Sequence, residues 1–157
     1  MVFFTRSLIS GGVAGEYNPS FRSSGKRLWP LSNNVRSKQF LKIFKLEDGR
    51  HESMVQRMYR MIREVDSDAT ITIATSESQI PLIENQLGDK VQISMEPCRR
   101  DTFPAIALAV AYLHDVQGVS EDEAVVVCPV DPYVEKPYFE TIVKLQKQAQ
   151  IGDCLMS

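Results

Sequence analysis

The sequence has 157 residues, of which 43% are hydrophobic and 24% are charged, a composition typical of one globular domain and not of a disordered or fibrous chain. Its 18 Lys and Arg residues against 20 Asp and Glu residues give a net charge of −2, which argues against nucleic acid as a partner. The 3 cysteines lack Cys-x-x-Cys spacing, and no secretory signal or apolar run of roughly 20 residues is present, which argues against a disulfide scaffold, a zinc site and a membrane span. We therefore expect a soluble, cytoplasmic protein without a membrane partner.

Apolar residues along the chain alternate between the two-residue period of strands and the three- to four-residue period of helices. The first predicted strand covers residues 7–10, with an extension upstream through residues 2–4, and it leads into Gly11 and Gly12. The remaining elements are predicted in this order: a helix over 54–65 capped by Ser53, a strand over 69–75, a helix over 77–87 ended by Gly88, a strand over 91–95, a helix over 102–113, a strand over 124–128 and a helix over 136–150. The helix over 102–113 is almost wholly apolar, so we expect it to be deeply packed.

This alternation of strands and helices predicts an α/β fold. Strands joined by helices require right-handed parallel crossovers, which give a three-layer α/β/α sandwich with a Rossmann-like, mainly parallel sheet. Ligands of such folds bind outside the carboxyl ends of the strands. No repeat or linker divides the chain, so residues 1–157 are expected to form one unit. The residues expected in the sheet core are Ile71, Ile73, Val125, Val126 and Val127.

A glycine pair directly after the first predicted strand indicates a phosphate-binding turn. Gly11 and Gly12 allow a sharp turn whose N–H groups face an anion. Downstream, Lys26, Arg27 and Lys38 supply the fixed positive charge that a triphosphate needs. From spacing alone, solvated surface cations are an equally good interpretation of this cluster.

Four sequence blocks strengthen the phosphate-binding interpretation. Residues 11–12 and 25–32 match in pieces the signature Gly-Gly-x-Gly-Thr-Arg-Leu-Trp-Pro-Leu-Ser, and residues 38–41 match its continuation Lys-Gln-Phe-Leu, with Ser37 in place of a proline. Residues 96–107 are similar to Glu-Pro-x-x-Arg-Asn-Thr-Ala-Pro-Ala-Ile-Ala, and residues 129–132 stand where Pro-Ala-Asp-His is expected. In this order the blocks resemble the sugar-nucleotide pyrophosphorylases, a nucleotidyltransferase family, and most closely its mannose-1-phosphate guanylyltransferase branch.

The resemblance implies transfer of GMP from GTP to mannose 1-phosphate, with release of pyrophosphate, in the presence of Mg²⁺. The sugar phosphate is itself the nucleophile, so such a site works by alignment and charge neutralisation and needs no catalytic triad. By this resemblance Arg27 and Lys38 are the catalytic cations and Asp131 holds Mg²⁺. The residues implied in nucleotide binding are Gly11, Gly12, Gly25, Lys26, Arg100, Asp101 and Thr102.

Two of these residues have plain structural interpretations that stay open at this stage. Asp131 precedes Pro132 and is also typical of a turn, and Thr102 is also a suitable N-cap for the apolar helix that follows it. Trp29 is interpreted as a packed loop anchor and not as a base-stacking residue.

The sequence departs from the family at several points. Twelve residues separate Gly12 from Gly25 where the family has one, Asp101 replaces an asparagine, and Pro132 replaces a histidine. The family's sugar-recognition half and its second metal-binding aspartate have no counterpart before Ser157. We therefore expect the N-terminal nucleotide-binding part of a nucleotidyltransferase domain. The alternatives are a pyrophosphorylase for another sugar 1-phosphate and a non-catalytic nucleotide-binding or regulatory relative, and homo-oligomerisation is left open.

Overall fold

A computed structural model of the chain describes residues 1–5, 38–98 and 102–149. The strand predicted at residues 7–10 lies outside these ranges. The described elements are, in chain order, β1 (Val2–Thr5), a 3-10 turn (Lys38–Phe40), β2 (Phe44–Lys45), β3 (His51–Glu52), α1 (Met54–Val65), β4 (Thr70–Ser76), a 3-10 turn (Glu77–Gln79), α2 (Ile80–Leu87), a 3-10 turn (Gly88–Lys90), β5 (Gln92–Glu96), α3 (Thr102–Asp115), β6 (Val125–Cys128) and α4 (Lys136–Ala149).

The larger sheet has four described strands in the order β5-β4-β1-β6. β4 and β5 are parallel, with Ile73 opposite Ile93. β1 is antiparallel to both of its neighbours, and Val2 lies opposite Ile73 on one side and Cys128 on the other. Strands β4, β5 and β6 therefore run in one direction, and β1 runs against them. β2 and β3 form a separate two-stranded hairpin.

The direction of β1 differs from the predicted parallel crossovers. The apolar run at residues 2–4 indicates a buried strand, and such a run is the same in either strand direction. Val2 meets this expectation in the reversed strand, because its side chain is only 2% exposed and belongs to the main core. Antiparallel pairing supplies the backbone hydrogen bonds that a parallel strand would have supplied.

Helices cover both faces of this sheet, which confirms the three-layer α/β/α prediction. On one face, Ile71 and Ile73 of β4 pack in a core with residues of α1, α2 and α4. On the other face, Ala74 packs with Ala109 and Leu113 of α3. Alternate residues of β6 divide in the same way, with Val126 and Cys128 on the first face and Val125 and Val127 on the second.

Helix α1 begins as predicted at Ser53, which forms a capping box. The backbone N–H of Gln56 donates to Ser53 Oγ at 3.2 Å, and the backbone N–H of Ser53 donates to Gln56 Oε1 at 3.1 Å. Helix α2 ends as predicted at Gly88, whose φ of +63° suits glycine. None of the described helices combines the length and the apolar composition needed to cross a bilayer.

Helix α3 is less deeply packed than its composition suggested. Ala105, Ala109 and Leu113 are buried against the sheet at four-residue spacing, whereas Phe103 on the outer face is 79% exposed. A helix that carries apolar residues on all of its faces shows no hydrophobic stripe, so the sequence could not indicate that only one face contacts the sheet. The expectation of deep packing was therefore wrong for the outer face.

Candidate active site

Two of the predicted site residues, which lie more than 90 positions apart in the sequence, meet at one point of the structure. Lys38 Nζ lies 3.2 Å from Asp131 Oδ1, and the two side chains are 28% and 36% exposed. Asp131 follows the carboxyl end of β6, where ligands of α/β sheets bind. The pair therefore places a cation and a carboxylate side by side, within reach of solvent, at the predicted edge of the sheet.

Lys38 is positioned by the 3-10 turn Lys38–Phe40, which we name the Lys38 turn. The backbone N–H of Leu41 closes it by donating to the Lys38 carbonyl at 3.1 Å, and the Phe40 side chain is buried in the main core. Gln86 of α2 donates from Nε2 to the Phe40 carbonyl at 2.9 Å. Its Oε1 accepts a 2.6 Å hydrogen bond from Ser53 Oγ. A buried network thus ties the turn to the start of α1 and to α2.

Asp131 belongs to residues 129–135, the connection from β6 to α4, which we name the Asp131 loop. Arg57 of α1 contacts this loop with its guanidinium, which lies 4.3 Å from the ring centroid of Tyr133. The same group lies 5.7 Å from the ring centroid of Phe44 on the β2–β3 hairpin. Arg57 Nη1 also donates to the Val134 carbonyl at 2.5 Å. The loop is therefore connected to both α1 and the hairpin.

A second carboxylate and a buried amine lie close to this edge. The Met1 amine donates to the Ala74 carbonyl at 3.1 Å. Burial lowers the pKa of this amine, while the negative charges of Glu96 and Asp131 act in the opposite direction. Both carboxylates are therefore within electrostatic reach of the amine at the carboxyl ends of β4, β5 and β6.

A cleft of about 280 Å³ opens between the end of β5 and the start of α3. Its size is just below the usual range for small-molecule pockets, about 300 to 1,000 Å³. The described residues that line it are Glu96, Pro97, Cys98, Pro104, Ala105 and Leu108. Nearly all of them fall in the sequence block that resembles the nucleotide pocket of the pyrophosphorylases, and Leu108 directly follows it.

The described side chains at this edge fit a metal ion that binds together with a nucleotide better than a metal ion held by protein ligands alone. Among the residues that the structure describes, no group of three His, Cys, Asp or Glu side chains is placed to hold a metal. Mg²⁺ is commonly held by one or two carboxylates together with substrate phosphates. Asp131, half-exposed and next to a cation, meets the protein's part of that arrangement.

Only some of the predicted site residues lie in the described ranges. Lys38 and Asp131 are brought together, and Thr102 is the first residue of α3, two positions before Pro104 of the cleft. Thr102 therefore lies inside the helix and is not its N-cap. The other predicted residues lie outside the described part of the chain: Gly11, Gly12, Gly25, Lys26, Arg27, Arg100 and Asp101.

The sequence analysis missed two residues that support the Lys38 turn and the Asp131 loop. Gln86 and Arg57 both donate to backbone carbonyls, of Phe40 and Val134. Every residue has a backbone carbonyl, so no sequence pattern marks such an acceptor. The only available signal was indirect, namely an arginine on α1 and aromatic residues at 44 and 133.

Comparison with known proteins defines the class. A model of the nucleotidyl transferase family matches residues 23–156. The chain belongs to the nucleotidyl transferase family, as the four sequence blocks predicted.

Individual relatives are more specific. The chain is 29% identical over 137 residues to the mannose-1-phosphate guanylyltransferase of Salmonella montevideo, an alignment that covers 82% of this chain and 26% of the relative. It is 42% identical over 89 residues to the xanthan biosynthesis protein XanB of Xanthomonas campestris pv. campestris strain B100, covering 55% of this chain and 18% of the relative.

A solved structure supports the fold. The crystal structure of mannose-1-phosphate geranyltransferase from Thermus thermophilus matches with a TM-score of 0.60 and 26% identity, over 80% of this chain and 35% of that one. The α/β prediction is therefore confirmed. This chain spans about a quarter of the length of the curated relatives that match most of it.

Proposed function

We propose that this chain is the nucleotide-binding part of an enzyme that transfers GMP from GTP to mannose 1-phosphate. The products are GDP-mannose and pyrophosphate. The observation that carries the proposal is the Lys38–Asp131 pair at the carboxyl edge of the sheet, where the cleft lined by residues from 96–98 and 104–108 also opens. The names of the guanylyltransferase relatives support the choice of mannose 1-phosphate and of the guanine nucleotide.

The proposed reaction forms one phosphorus–oxygen bond and breaks another. A phosphate oxygen of mannose 1-phosphate attacks the α-phosphorus of GTP, and the bond from that phosphorus to the β-phosphate oxygen breaks as pyrophosphate leaves. Because the nucleophile is already an anion, no residue has to remove a proton from it. The protein's contribution is to align the two phosphates and to neutralise their charge.

Lys38 would supply part of that neutralisation. In the ligand-free chain its ammonium is paired with Asp131, so neither group is left uncompensated. A bound triphosphate offers Lys38 a partner that carries more negative charge than one carboxylate, through hydrogen bonds that are charge-assisted in the same way. The Asp131 carboxylate is then released to hold Mg²⁺. When bound, Mg²⁺ supplies further charge neutralisation on the phosphates.

The remaining site residues enter the proposal through the family resemblance. Arg27 would be the second catalytic cation, and the turn formed by Gly11, Gly12, Gly25 and Lys26 would hold the triphosphate. Arg100, Asp101 and Thr102 would contact the nucleotide at the cleft, since they join the lining residues Cys98 and Pro104 in sequence.

A non-catalytic nucleotide-binding relative is the second candidate. It is favoured by the twelve residues that separate Gly12 from Gly25, because a phosphate-binding turn works by directing consecutive N–H groups toward one anion. Release of pyrophosphate on mixing the chain with GTP, Mg²⁺ and mannose 1-phosphate distinguishes catalysis from binding. Glucose 1-phosphate in place of mannose 1-phosphate tests the choice of sugar.

Calorimetric titration of GTP, GDP and ATP in the presence of Mn²⁺ tests nucleotide binding directly. Loss of one charge-assisted hydrogen bond, about 1.5 to 3 kcal/mol, should weaken GTP binding of Lys38→Ala by roughly 10- to 150-fold. Asp131→Ala should lose the Mn²⁺ dependence. Lys42→Ala is the matched control, because Lys42 is an exposed lysine only four residues along the chain from Lys38. A wild-type chain that binds none of the three nucleotides would refute the proposal.

A further inference from the structure

We propose that Arg57 is a positioning residue, which holds the Asp131 loop so that Asp131 faces Lys38. The proposal rests on the proposed function for the role of Asp131, and on the structure for the role of Arg57. Arg57 lies outside the four sequence blocks that resemble the pyrophosphorylases.

The position of Asp131 in its loop shows why an external support is needed. Within the loop, Val130 and Val134, on either side of Asp131, pack against the main core. Between them, Asp131 is half-exposed, and Pro132 and Tyr133 are exposed. Pro132 has no backbone N–H and therefore cannot donate a hydrogen bond that would fix the loop. The part of the loop that carries the carboxylate thus depends on contacts from other elements.

Arg57 makes two such contacts with one planar group, to Tyr133 and Val134, and a third contact to Phe44 of the hairpin. Its guanidinium lies 4.3 Å from the ring centroid of Tyr133 and 5.7 Å from that of Phe44, both within the range of about 6 Å for attraction between a cation and an aromatic ring. The two rings are also neighbours, with centroids 5.7 Å apart. The contact to Val134 is the hydrogen bond to its carbonyl at 2.5 Å. Stacking and hydrogen bonding therefore act together on residues 133 and 134.

The contacts follow from properties that arginine does not share with lysine or methionine. A guanidinium stacks on rings through its plane and donates hydrogen bonds along its edge at the same time. Lysine would keep the charge but lose the planar geometry, and methionine would keep only an apolar stem of similar length. A graded series of variants can therefore separate positioning from simple packing.

The experiment compares Arg57→Met and Arg57→Lys with the control Arg63→Met in the full chain. Arg63 is matched because it lies on the same helix, stacks on Tyr59 at 5.9 Å and donates to the Ala69 carbonyl, away from the Asp131 loop. Backbone ¹⁵N relaxation is measured without ligand, and Mn²⁺-dependent GTP affinity is measured by calorimetry. Unfolding midpoints in urea are recorded for all variants.

We expect the order parameters of residues 130, 131, 133 and 134 to fall in Arg57→Met from about 0.85 to below about 0.6, the values of rigid and flexible backbone. Affinity for GTP with Mn²⁺ should fall by about tenfold, equivalent to about 1.4 kcal/mol, with Arg57→Lys in between. Arg63→Met should change neither quantity. Unchanged loop order and unchanged affinity in Arg57→Met would overturn the proposal.

Two further features keep the test decisive. Tyr133→Ala removes the exposed ring partner without altering α1, so it should loosen the loop even if Arg57→Met fails to fold, and a rigid loop in Tyr133→Ala would count against the proposal. The relaxation measurement needs no nucleotide, so it decides the role of Arg57 even if wild type binds no GTP. That second result would refute the proposed function alone.

Discussion

The Lys38 turn and the Asp131 loop meet in one ion pair, but different kinds of contact hold them. Behind the Lys38 turn, neutral hydrogen bonds join Ser53, Gln86 and the Phe40 carbonyl, and Ser53 and Phe40 are buried. Against the Asp131 loop, the charged guanidinium of Arg57 lies over two neighbouring aromatic rings, and one of them, Tyr133, is 62% exposed. The difference indicates that the turn is held by contacts inside the core, whereas the part of the loop around Asp131 is held by contacts at the surface.

This difference separates two consequences of mutation. Loss of a buried polar partner leaves other buried groups without hydrogen bonds and destabilises the whole fold. Loss of a half-exposed stacking group costs little stability but leaves a surface loop free to move. Variants of the turn are therefore expected to reduce stability, and variants of the loop to disturb the geometry of the site.

The largest effect is expected for Gln86→Ala. This variant removes the acceptor of the Ser53 Oγ–H group and the donor to the Phe40 carbonyl, so the free energy of unfolding should fall by about 2 to 3 kcal/mol. Urea unfolding followed by circular dichroism measures the change. Gln148→Ala on the exposed side of α4 is the control and should remain within about 0.5 kcal/mol of wild type. An unchanged unfolding midpoint in Gln86→Ala would show that these hydrogen bonds do not stabilise the fold. The difference between the turn and the loop would then be wrong.

The rate of thiol labelling at Cys128 should also differ between variants of the turn and variants of the loop. Burial raises the pKa of this thiol to about 12, partly offset by a hydrogen bond from Tyr138, so the reactive thiolate forms only when the sheet opens. A loss of about 2 to 3 kcal/mol should speed labelling in Gln86→Ala by roughly 30- to 150-fold. Arg57→Met should stay close to wild type. Peptide mapping separates Cys128 from the exposed Cys98, whose labelling should be fast in every variant.

A smaller effect is expected for Phe44→Leu, which removes one of the two rings beside Arg57. The free energy of unfolding should fall by about 0.5 to 1 kcal/mol, the value of an exposed contact between a cation and a ring. Repeating the urea titration in about 1 M salt should reduce this difference, because charge interactions are then screened beyond about 3 Å, while the effect of Gln86→Ala should persist. Equal salt sensitivity of the two variants would contradict the assignment of neutral and charged contacts.

The smallest effect on stability is expected for Lys38→Met. The Lys38–Asp131 pair is about one-third exposed, and ion pairs of this kind contribute between about 0 and 1 kcal/mol. The unfolding midpoint in urea should therefore remain near that of wild type, although GTP binding is expected to fall sharply. A large loss of stability would make the ion pair a structural feature of the fold and not a site held ready for a ligand.

The sequence predicted those parts of the molecule that depend on local patterns. The Ser53 cap, the Gly88 stop and the burial of Ile71 and Ile73 follow from hydrogen-bonding groups and apolar spacing within a few residues. The choice of Lys38 and Asp131 came from the family resemblance, and their 3.2 Å contact was not visible in the sequence.

Features that depend on distant partners were not predictable in the same way. The direction of β1 was missed because a short apolar run is the same in either strand direction. The exposed face of α3 was missed because Phe103 and Leu113 are both apolar and only the folded chain distinguishes them. Gln86 and Arg57 were missed because they bind carbonyl groups of residues far away in the sequence.

The central position of β1 also affects the order in which the molecule is assembled. Val2 pairs with Ile73 and with Cys128, which are synthesised much later than β1. β1 therefore cannot pair with its neighbours until those residues have been synthesised. Sheets built from such distant pairings fold slowly, since chain entropy is lost before the contacts form. During synthesis, α1, β4, α2 and β5 can associate first through their short connections, and β1 gains its second described neighbour only after β6 has emerged.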